Sequence, residues 1–167
     1  MKKYIALLII SLSFFTNSCK FYSLSGADVH PDLKTFSISR IINQAEIINP
    51  TLTNLLQTKL RNRLNRQTSL REVTSNGDLQ YDVIITDYRV QETAVNSGSL
   101  SSENKLIISI KCTFTNSKEE KNNFEKTFST NENFSSTTTL QAAESLFLDD
   151  MSTILVDKIF NESLVNW

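Results

Sequence analysis

Histidine and cysteine are scarce in this chain of 167 residues. It contains one histidine, His30, and two cysteines, Cys19 and Cys112. A single imidazole, with no second imidazole and no well-placed acid, leaves a zinc site or a Ser-His-Asp triad without its components. We therefore interpret His30, which precedes Pro31, as a loop residue, and expect no bound metal.

Motifs for nucleotide binding and hydrolysis are also missing. No P-loop, GxSxG or HExxH pattern occurs in the sequence. The acidic pairs Glu119-Glu120 and Asp149-Asp150 consist of adjacent residues whose side chains point apart, so neither pair suggests a catalytic dyad. The sequence predicts neither an enzyme nor a cofactor.

The chain has no excess of positive charge, with 17 lysines and arginines against 18 acidic residues. If Lys2 and Lys3 are removed with a leader, 15 basic residues remain and the net charge is −3. Nucleic acid is therefore disfavoured as a partner, because its binding proteins carry basic surfaces.

The first 19 residues have the order of a lipoprotein leader. Lys2 and Lys3 precede a 12-residue apolar run that ends at Phe15, and the run is too short for a membrane span of about 20 residues. The small residue Ser18 stands directly before Cys19. This order predicts a signal peptide over residues 1–18 and lipidation of Cys19. The alternative is a plain secretory signal that happens to contain a cysteine.

After acylation of Cys19, Cys112 is the remaining cysteine, so no intramolecular disulfide can form and stability must come from packing. Residues 19–33 are interpreted as a short tether with a reach of about 50 Å, which keeps the domain close to the membrane. Residues 34–167 are then predicted to form a single domain.

Hydrophobic periodicity predicts the elements of this domain. Residues 34–42 alternate as a strand, and Asn49-Pro50 opens a helix that continues through Gln67 with leucines at helical spacing. After a turn at Asn76-Gly77-Asp78, alternation from Leu79 indicates a second strand, with a shift near Ile84–Tyr88 that suggests a bulge. The helical leucines are Leu52, Leu55, Leu56, Leu60 and Leu64.

The second half of the domain begins with a polar stretch, Glu92–Asn104, that reads as a loop. The clearest strand follows and places Cys112 on its apolar face with Leu106, Ile108, Ile110 and Phe114. A polar connection over Asn116–Asn123 leads to a returning strand with Phe124 and Phe128. The polar segment Ser129–Thr139 then precedes a C-terminal helix with the apolar stripe Leu140, Ala143, Phe147, Met151, Ile154, Leu155 and Ile159.

The resulting order is β-α-β-β-β-α. It predicts an α+β fold in which two amphipathic helices cover one face of a mostly antiparallel, four-stranded sheet.

Three segments of the chain together resemble the LptE family, in its Bacteroidetes-like form. They are Cys19-Lys-Phe-Tyr-Ser-Leu-Ser-Gly26, Asn49-Pro-Thr-Leu-Thr-Asn-Leu-Leu56 and Asn76-Gly-Asp-Leu-Gln-Tyr-Asp-Val-Ile-Ile-Thr-Asp-Tyr88. The resemblance implies a non-enzymatic lipoprotein on the periplasmic face of the outer membrane. It would plug and help assemble an LptD-like translocon barrel, and pass lipopolysaccharide to the outer leaflet.

Two other functions stay open at this point. An auxiliary lipoprotein of a phospholipid-trafficking ABC transporter would also join a lipid anchor to a small α/β domain. A periplasmic hydrolase would need a nucleophile–base pair, which the sequence does not show.

One charged pattern could bind a partner. Lys59, Arg63 and Arg66 lie at i, i+4 and i+7 on the first helix and stack along one edge, whereas Arg61 lies on the far side. This edge could contact lipopolysaccharide phosphates or acidic groups of the barrel, because the arginine fork suits phosphate. The competing interpretation is a solvated face whose arginine stems cover apolar neighbours.

The leader generates a direct prediction. Replacing Cys19→Ala should leave unprocessed precursor, because the lipid is attached through the cysteine sulfur. Mass spectrometry of the membrane fraction would measure this, and a variant with unchanged processing and mass would contradict lipidation at Cys19.

Overall fold

The computed structural model describes residues 29–93 and 102–165. The predicted signal peptide, Cys19 and all but the last residues of the tether lie outside these ranges. Within them, no helix combines the length and apolarity needed to cross a membrane.

A six-stranded sheet forms the centre of the described structure. The strands are β1 (Thr35–Ile38), β2 (Ile42–Asn43), β3 (Arg71–Glu72), β4 (Leu79–Thr93), β5 (Glu103–Asn116) and β6 (Phe124–Ser135). Their order is β3-β1-β4-β5-β6, and β2 also pairs with β4. The long pairs β4–β5 and β5–β6 are antiparallel, and the short pairs are parallel. The predicted class is confirmed, although the sheet has two short strands more than expected.

The single strand expected over residues 34–42 is divided into β1 and β2. Ser39 N–H still donates to the Tyr81 carbonyl of β4 at 3.0 Å, but Ile41 N–H leaves the sheet and donates to Gln57 Oε1 at 3.1 Å. The helix side chain therefore interrupts the ladder at this point.

The turn before β4 fixes β1 in place. Asp78 Oδ2 accepts hydrogen bonds at 2.9 Å from the backbone N–H groups of Lys34 and Thr35. These bonds hold the pKa of Asp78 below its usual value, the Lys34 N–H being the main cause. Gly77 is required here, because an added Cβ would lie 2.6 Å from the Phe36 carbonyl carbon. Asn76 has a left-handed φ of 55°, which asparagine tolerates better than most residues.

Helix α1 spans Pro50–Gln67, as the sequence predicted. The Asn49 side chain caps it by accepting a hydrogen bond from Leu52 N–H at 3.0 Å, and Thr68 N–H donates to the Leu64 carbonyl at its end. Four of the five predicted leucines are buried, and Leu55 is half-buried. Full burial of each leucine stabilises the fold by roughly 1.5–3 kcal/mol.

The inner faces of β4 and β5 form the core under the helices. In β4 the pairing register shifts between Ile85 and Asp87, so inward residues change from odd to even numbers and Tyr88 points inward. The bulge suggested by the sequence is thus confirmed. In β5 the five predicted apolar residues, including Cys112, are at most 1% exposed.

Two predicted loops are shorter than expected. β6 continues through Phe134 to Ser135, and Ser135 pairs with Glu103 of β5, so most of Ser129–Thr139 is strand. Residues 92, 93, 103 and 104 likewise belong to β4 and β5. The polar composition misled the prediction because the outward side chains of these strands face solvent, where serine, threonine and asparagine are tolerated.

Helix α2 spans Leu140–Leu164 and is capped by Thr139, whose side chain accepts a hydrogen bond from Ala142 N–H. Its buried arc differs from the predicted stripe. Ile154 is 38% exposed, and Leu140 and Phe147 are only half-buried. Leu148, Val156 and Phe160 are buried instead, because α2 packs against α1 as well as the sheet and its buried arc is rotated toward α1.

The position of Cys112 yields a prediction for thiol chemistry. Burial, and to a smaller extent the nearby Asp82, raises the pKa of the Cys112 thiol to about 12. The reactive thiolate is therefore rare at neutral pH, and thiol reagents should label native protein slowly and unfolded protein fast. Cys112→Ser should cost on the order of 1–3 kcal/mol, because it buries a hydroxyl with no assured partner. Rapid labelling of native protein would contradict the assigned strand face.

Candidate functional site

The helices α1 and α2 run side by side in the same direction. Lys59 of α1 contacts Asp149 of α2, and four residues later Arg63 contacts Asp157. Between them lies a groove of about 330 Å³. It is lined by Lys59, Asn62, Arg63, Arg66 and Gln67 of α1 and by Thr153, Val156 and Asp157 of α2. The predicted basic edge therefore forms one wall of this helix groove.

Lys59 is held by two groups of α2. Its Nζ lies 2.9 Å from Asp149 Oδ1 and donates to Thr153 Oγ1 at 3.0 Å. This lysine is engaged between the helices and does not extend freely into solvent.

Arg63 is held by an acid and by an aromatic ring of α2. Its Nη2 is 3.3 Å from Asp157 Oδ1, and its guanidinium stands 4.8 Å from the centre of the Phe160 ring. Its Nε is buried and has no hydrogen-bond partner among the described residues. The Nε of Arg63 is therefore an unused donor, which an acceptor could reach only if the side chain moved.

Arg66 completes the predicted set and differs from the other two. It is exposed, and within the described ranges no ion pair or hydrogen bond involves it. Arg61 lies outside the helix groove, as predicted, and its Nε donates to both carboxylate oxygens of Glu72 at 2.8 and 3.0 Å.

The structure therefore brings the three predicted cations together but supplies acids that the sequence did not place beside them. Asp149 and Asp157 partly neutralise the groove, so an anion entering it must compete with them. No sequence pattern within α1 predicts that Asp157 lies beside Arg63. Only the packing of α2 on α1 shows that it faces Arg63.

A second polar cluster, missed by the sequence analysis, joins the helices at their N-terminal ends. Glu144 Oε1 accepts a hydrogen bond from Tyr88 Oη and another, at 2.9 Å, from Asn49 Nδ2. Burial raises the pKa of Tyr88 above its usual value, and Glu144 raises it further. The neutral phenol is thus the donor. The cluster ties the cap of α1 to α2 and to β4.

His30 lies where the sequence placed it, in a loop. Its Nδ1 is 3.7 Å from Asp32 Oδ2, and both side chains are largely exposed. It borders a cleft of about 260 Å³ with Val29, Leu33, Asn116, Glu119 and Leu164. In the part of the chain that the structure describes, no three histidine, cysteine or acidic side chains converge as metal ligands.

The face of the sheet opposite the helices forms a third surface, called here the outer sheet face. It carries mainly uncharged polar side chains from β5 and β6, among them Ser109, Thr113, Thr115, Thr127, Ser129, Asn131 and Asn133. Ser109 Oγ donates to Ser129 Oγ at 3.0 Å, and Lys111 pairs with Glu125 at 3.1 Å. No described element covers this face.

Several solved structures share the fold. An uncharacterized lipoprotein B from Nitrosomonas europaea is 11% identical, with 84% of this chain and 88% of that chain covered and a TM-score of 0.54. A putative neuraminyllactose-binding hemagglutinin homolog from Helicobacter pylori has the same identity and coverage, with a TM-score of 0.50. A hypothetical protein from Chlamydia trachomatis is 8% identical over 78% of this chain and 98% of that chain, also with a TM-score of 0.50. At these identities the similarity concerns the fold alone.

No curated protein matches the sequence. A family model does: the LptE model, described as lipopolysaccharide-assembly, matches residues 33–163. This match covers both helices nearly to the end of α2 and every strand of the sheet. The chain belongs to the LptE family of lipopolysaccharide-assembly proteins.

Proposed function

We propose that this protein is a lipid-anchored subunit of the lipopolysaccharide translocon in the outer membrane. It plugs an LptD-like β-barrel, helps that barrel to assemble, and assists the passage of lipopolysaccharide to the outer leaflet. Cys19 carries the anchor and holds the domain at the periplasmic face. Membership of the lipopolysaccharide-assembly family supports the process, and the surfaces of the domain support the plug role.

The outer sheet face is the observation that carries the plug role. A sheet with helices on one face leaves the other to solvent or to a partner. Here the open face offers hydroxyl and amide groups of Ser109, Thr113, Ser129, Asn131 and Asn133. Charged side chains of both signs lie among them, and Lys111 and Glu125 neutralise each other as an ion pair. The inside of a large membrane barrel is polar, because inward residues alternate with lipid-facing ones. Neutral side chains that both donate and accept can adapt to such a wall.

The helix groove is the proposed contact for lipopolysaccharide phosphates. Arg66 is exposed and free to pair with an anion, and Arg63 could join it by releasing Asp157. Bidentate binding of phosphate is characteristic of arginine. Lys59, Arg63 and Arg66 exceed Asp149 and Asp157 by one positive charge, which a singly charged phosphate group would neutralise.

The transporter-auxiliary alternative is not favoured, because the matching family is defined by lipopolysaccharide assembly. A hydrolase finds no support in the described residues either, since His30 has no nucleophile within its contacts.

The groove can be tested with paired variants. Replacing Lys59, Arg63 and Arg66 together with Gln keeps helix propensity and most of the stem packing. We expect weaker binding of lipopolysaccharide and a flatter dependence on salt, because fewer phosphates are neutralised. Arg61→Gln is the matched control on the same helix, and its binding should be unchanged.

Asp157→Asn should act in the opposite direction and strengthen binding, because it removes the acid that competes for Arg63. The affinities are measured by titration at several salt concentrations. If the triple-Gln variant and Asp157→Asn both bound lipopolysaccharide as the wild type does, the basic edge would be a solvated face and not a binding site.

The barrel partner is tested in cells. Depletion of the protein should lower the amount of correctly assembled barrel, measured by its electrophoretic mobility before and after heating. A photo-crosslinking residue at Thr113 or Ser135, on the outer sheet face, should capture the barrel subunit. The matched control is Asp150, on the exposed side of α2, where capture should be weaker. Normal barrel assembly and lipopolysaccharide export after depletion would contradict the proposed function.

A further inference from the structure

The free edge of β6 offers backbone groups that no described strand uses. β6 is the last strand in the sheet order. Ser136 N–H donates to the Ser102 carbonyl at 3.1 Å, and antiparallel pairing then alternates along the register. Even-numbered residues of β6 therefore direct their N–H and C=O groups toward β5. Odd-numbered residues direct theirs outward, away from the sheet.

Two contacts limit how much of this edge is open. Lys158 Nζ of α2 donates to the outward carbonyl of Ser129 at 2.6 Å. At the other end, the Ser135 carbonyl accepts from Thr138 N–H at 2.9 Å. Between them, the N–H and C=O groups of Asn131 and Asn133 and the N–H of Ser135 stay open among the described residues. This run is called the β6 edge.

A row of apolar side chains on α2 lies beside the β6 edge. Leu140, Phe147 and Ile154 precede Lys158 by 18, 11 and 4 residues, which places all four on one stripe of the helix. Because Lys158 reaches Ser129, this stripe is turned toward β6. Ile154 is 38% exposed, and Leu140 and Phe147 are half-buried. We call these three residues the α2 row.

The helix side and the outer side of the β6 edge differ in chemistry, and this difference indicates which side chains a partner strand would carry. Side chains of an added strand would alternate between the helix side and the outer sheet face. On the helix side they would meet the α2 row. On the other side they would meet the neutral residues Asn131, Asn133 and Ser135.

We propose that the β6 edge and the α2 row together form a docking site for an extended segment of a partner protein. The segment adds to the sheet as a seventh strand, with apolar and uncharged polar side chains in alternation. Backbone hydrogen bonds to Asn131, Asn133 and Ser135 supply affinity, and the α2 row selects apolar side chains at every second position.

A second copy of this chain fits the site less well than a foreign strand. If two β6 strands paired antiparallel with the twofold axis at Thr130 or Asn131, the two Ser129 residues would lie about 7–14 Å apart along the strands. Each carries Lys158 on its carbonyl, so two positive charges would meet near the centre of the pairing. Lysine at a sheet edge commonly opposes such self-association.

The probe is a short peptide of alternating Val and Thr residues, added to the mature protein. Backbone hydrogen exchange at Asn131, Asn133 and Ser135 should slow by about tenfold or more, because these amides become bonded. Exchange at Thr130 and Glu132 should change little, since those amides already bond β5. A scrambled peptide of the same composition is the control. Absence of protection at the three outward amides would overturn the proposal.

Paired variants separate the backbone edge from its side chains. Asn131→Pro with Asn133→Pro removes two outward N–H groups but no bond to β5, and proline is tolerated at such edge positions. Peptide affinity should fall by roughly tenfold for two lost hydrogen bonds. Asn131→Ala with Asn133→Ala removes the side chains alone and should bind as the wild type does. Equal affinity of the two double variants would overturn the proposal.

Ile154→Asp provides a test that leaves the strand intact should the proline variant fail to fold. It places a charge in the α2 row at an exposed position, so peptide affinity should fall while the unfolding temperature changes little. Unchanged affinity would contradict the role of the row. Protection of the edge amides that rises with protein concentration, without peptide, would instead identify a second copy as the occupant.

Discussion

Burial of one face of β4 and β5 under two helices is the constraint from which the rest of the structure follows. Leucines of α1 and the apolar arc of α2 cover the same inward row, which includes Tyr81 and Ile110. Because both helices are used on this face, the described structure has no element left to cover the other. An open, polar sheet face and an unpaired β6 are therefore consequences of the packing.

Buried polar contacts determine where each helix lies on that core. Tyr81 Oη and Ser163 Oγ are hydrogen-bonded at 3.1 Å between β4 and the end of α2. Near the start of the same helix, Tyr88 and Asn49 both donate to Glu144. Apolar contacts alone would let a helix slide along the sheet. A hydrogen bond fixes its position, because a buried donor that loses its acceptor costs about 1–3 kcal/mol. The two ends of α2 are thus held in register, which brings its acids opposite the cations of α1.

The surfaces that result have different chemistry and suit different partners. The helix groove sets Lys59, Arg63 and Arg66 against Asp149 and Asp157, so the proposed anion would have to displace Asp157 from Arg63. The outer sheet face is polar and rich in hydroxyl and amide groups, with charges of both signs among them, which suits a polar wall. The β6 edge offers backbone groups beside an apolar row, which suits an extended chain. Each of the proposed partners is thus matched to a different surface of the domain.

The sequence by itself determined α1, the bulge in β4 and the apolar face of β5. In each case the signal is local: Asn49 and Pro50 start the helix, and strict alternation through Cys112 fixes one strand face. It also grouped Lys59, Arg63 and Arg66, because helical spacing alone places them on one edge. Only the tertiary structure decided what depends on distant residues. Pairing with β5 makes Ser129–Ser135 a strand despite its loop-like composition. Contact with α1 rotates the buried arc of α2 away from Ile154 and toward Phe160. The same contact sets Asp149 and Asp157 against the basic edge. The sequence could not show this, because the periodicity of one helix does not encode which side chains its neighbour presents.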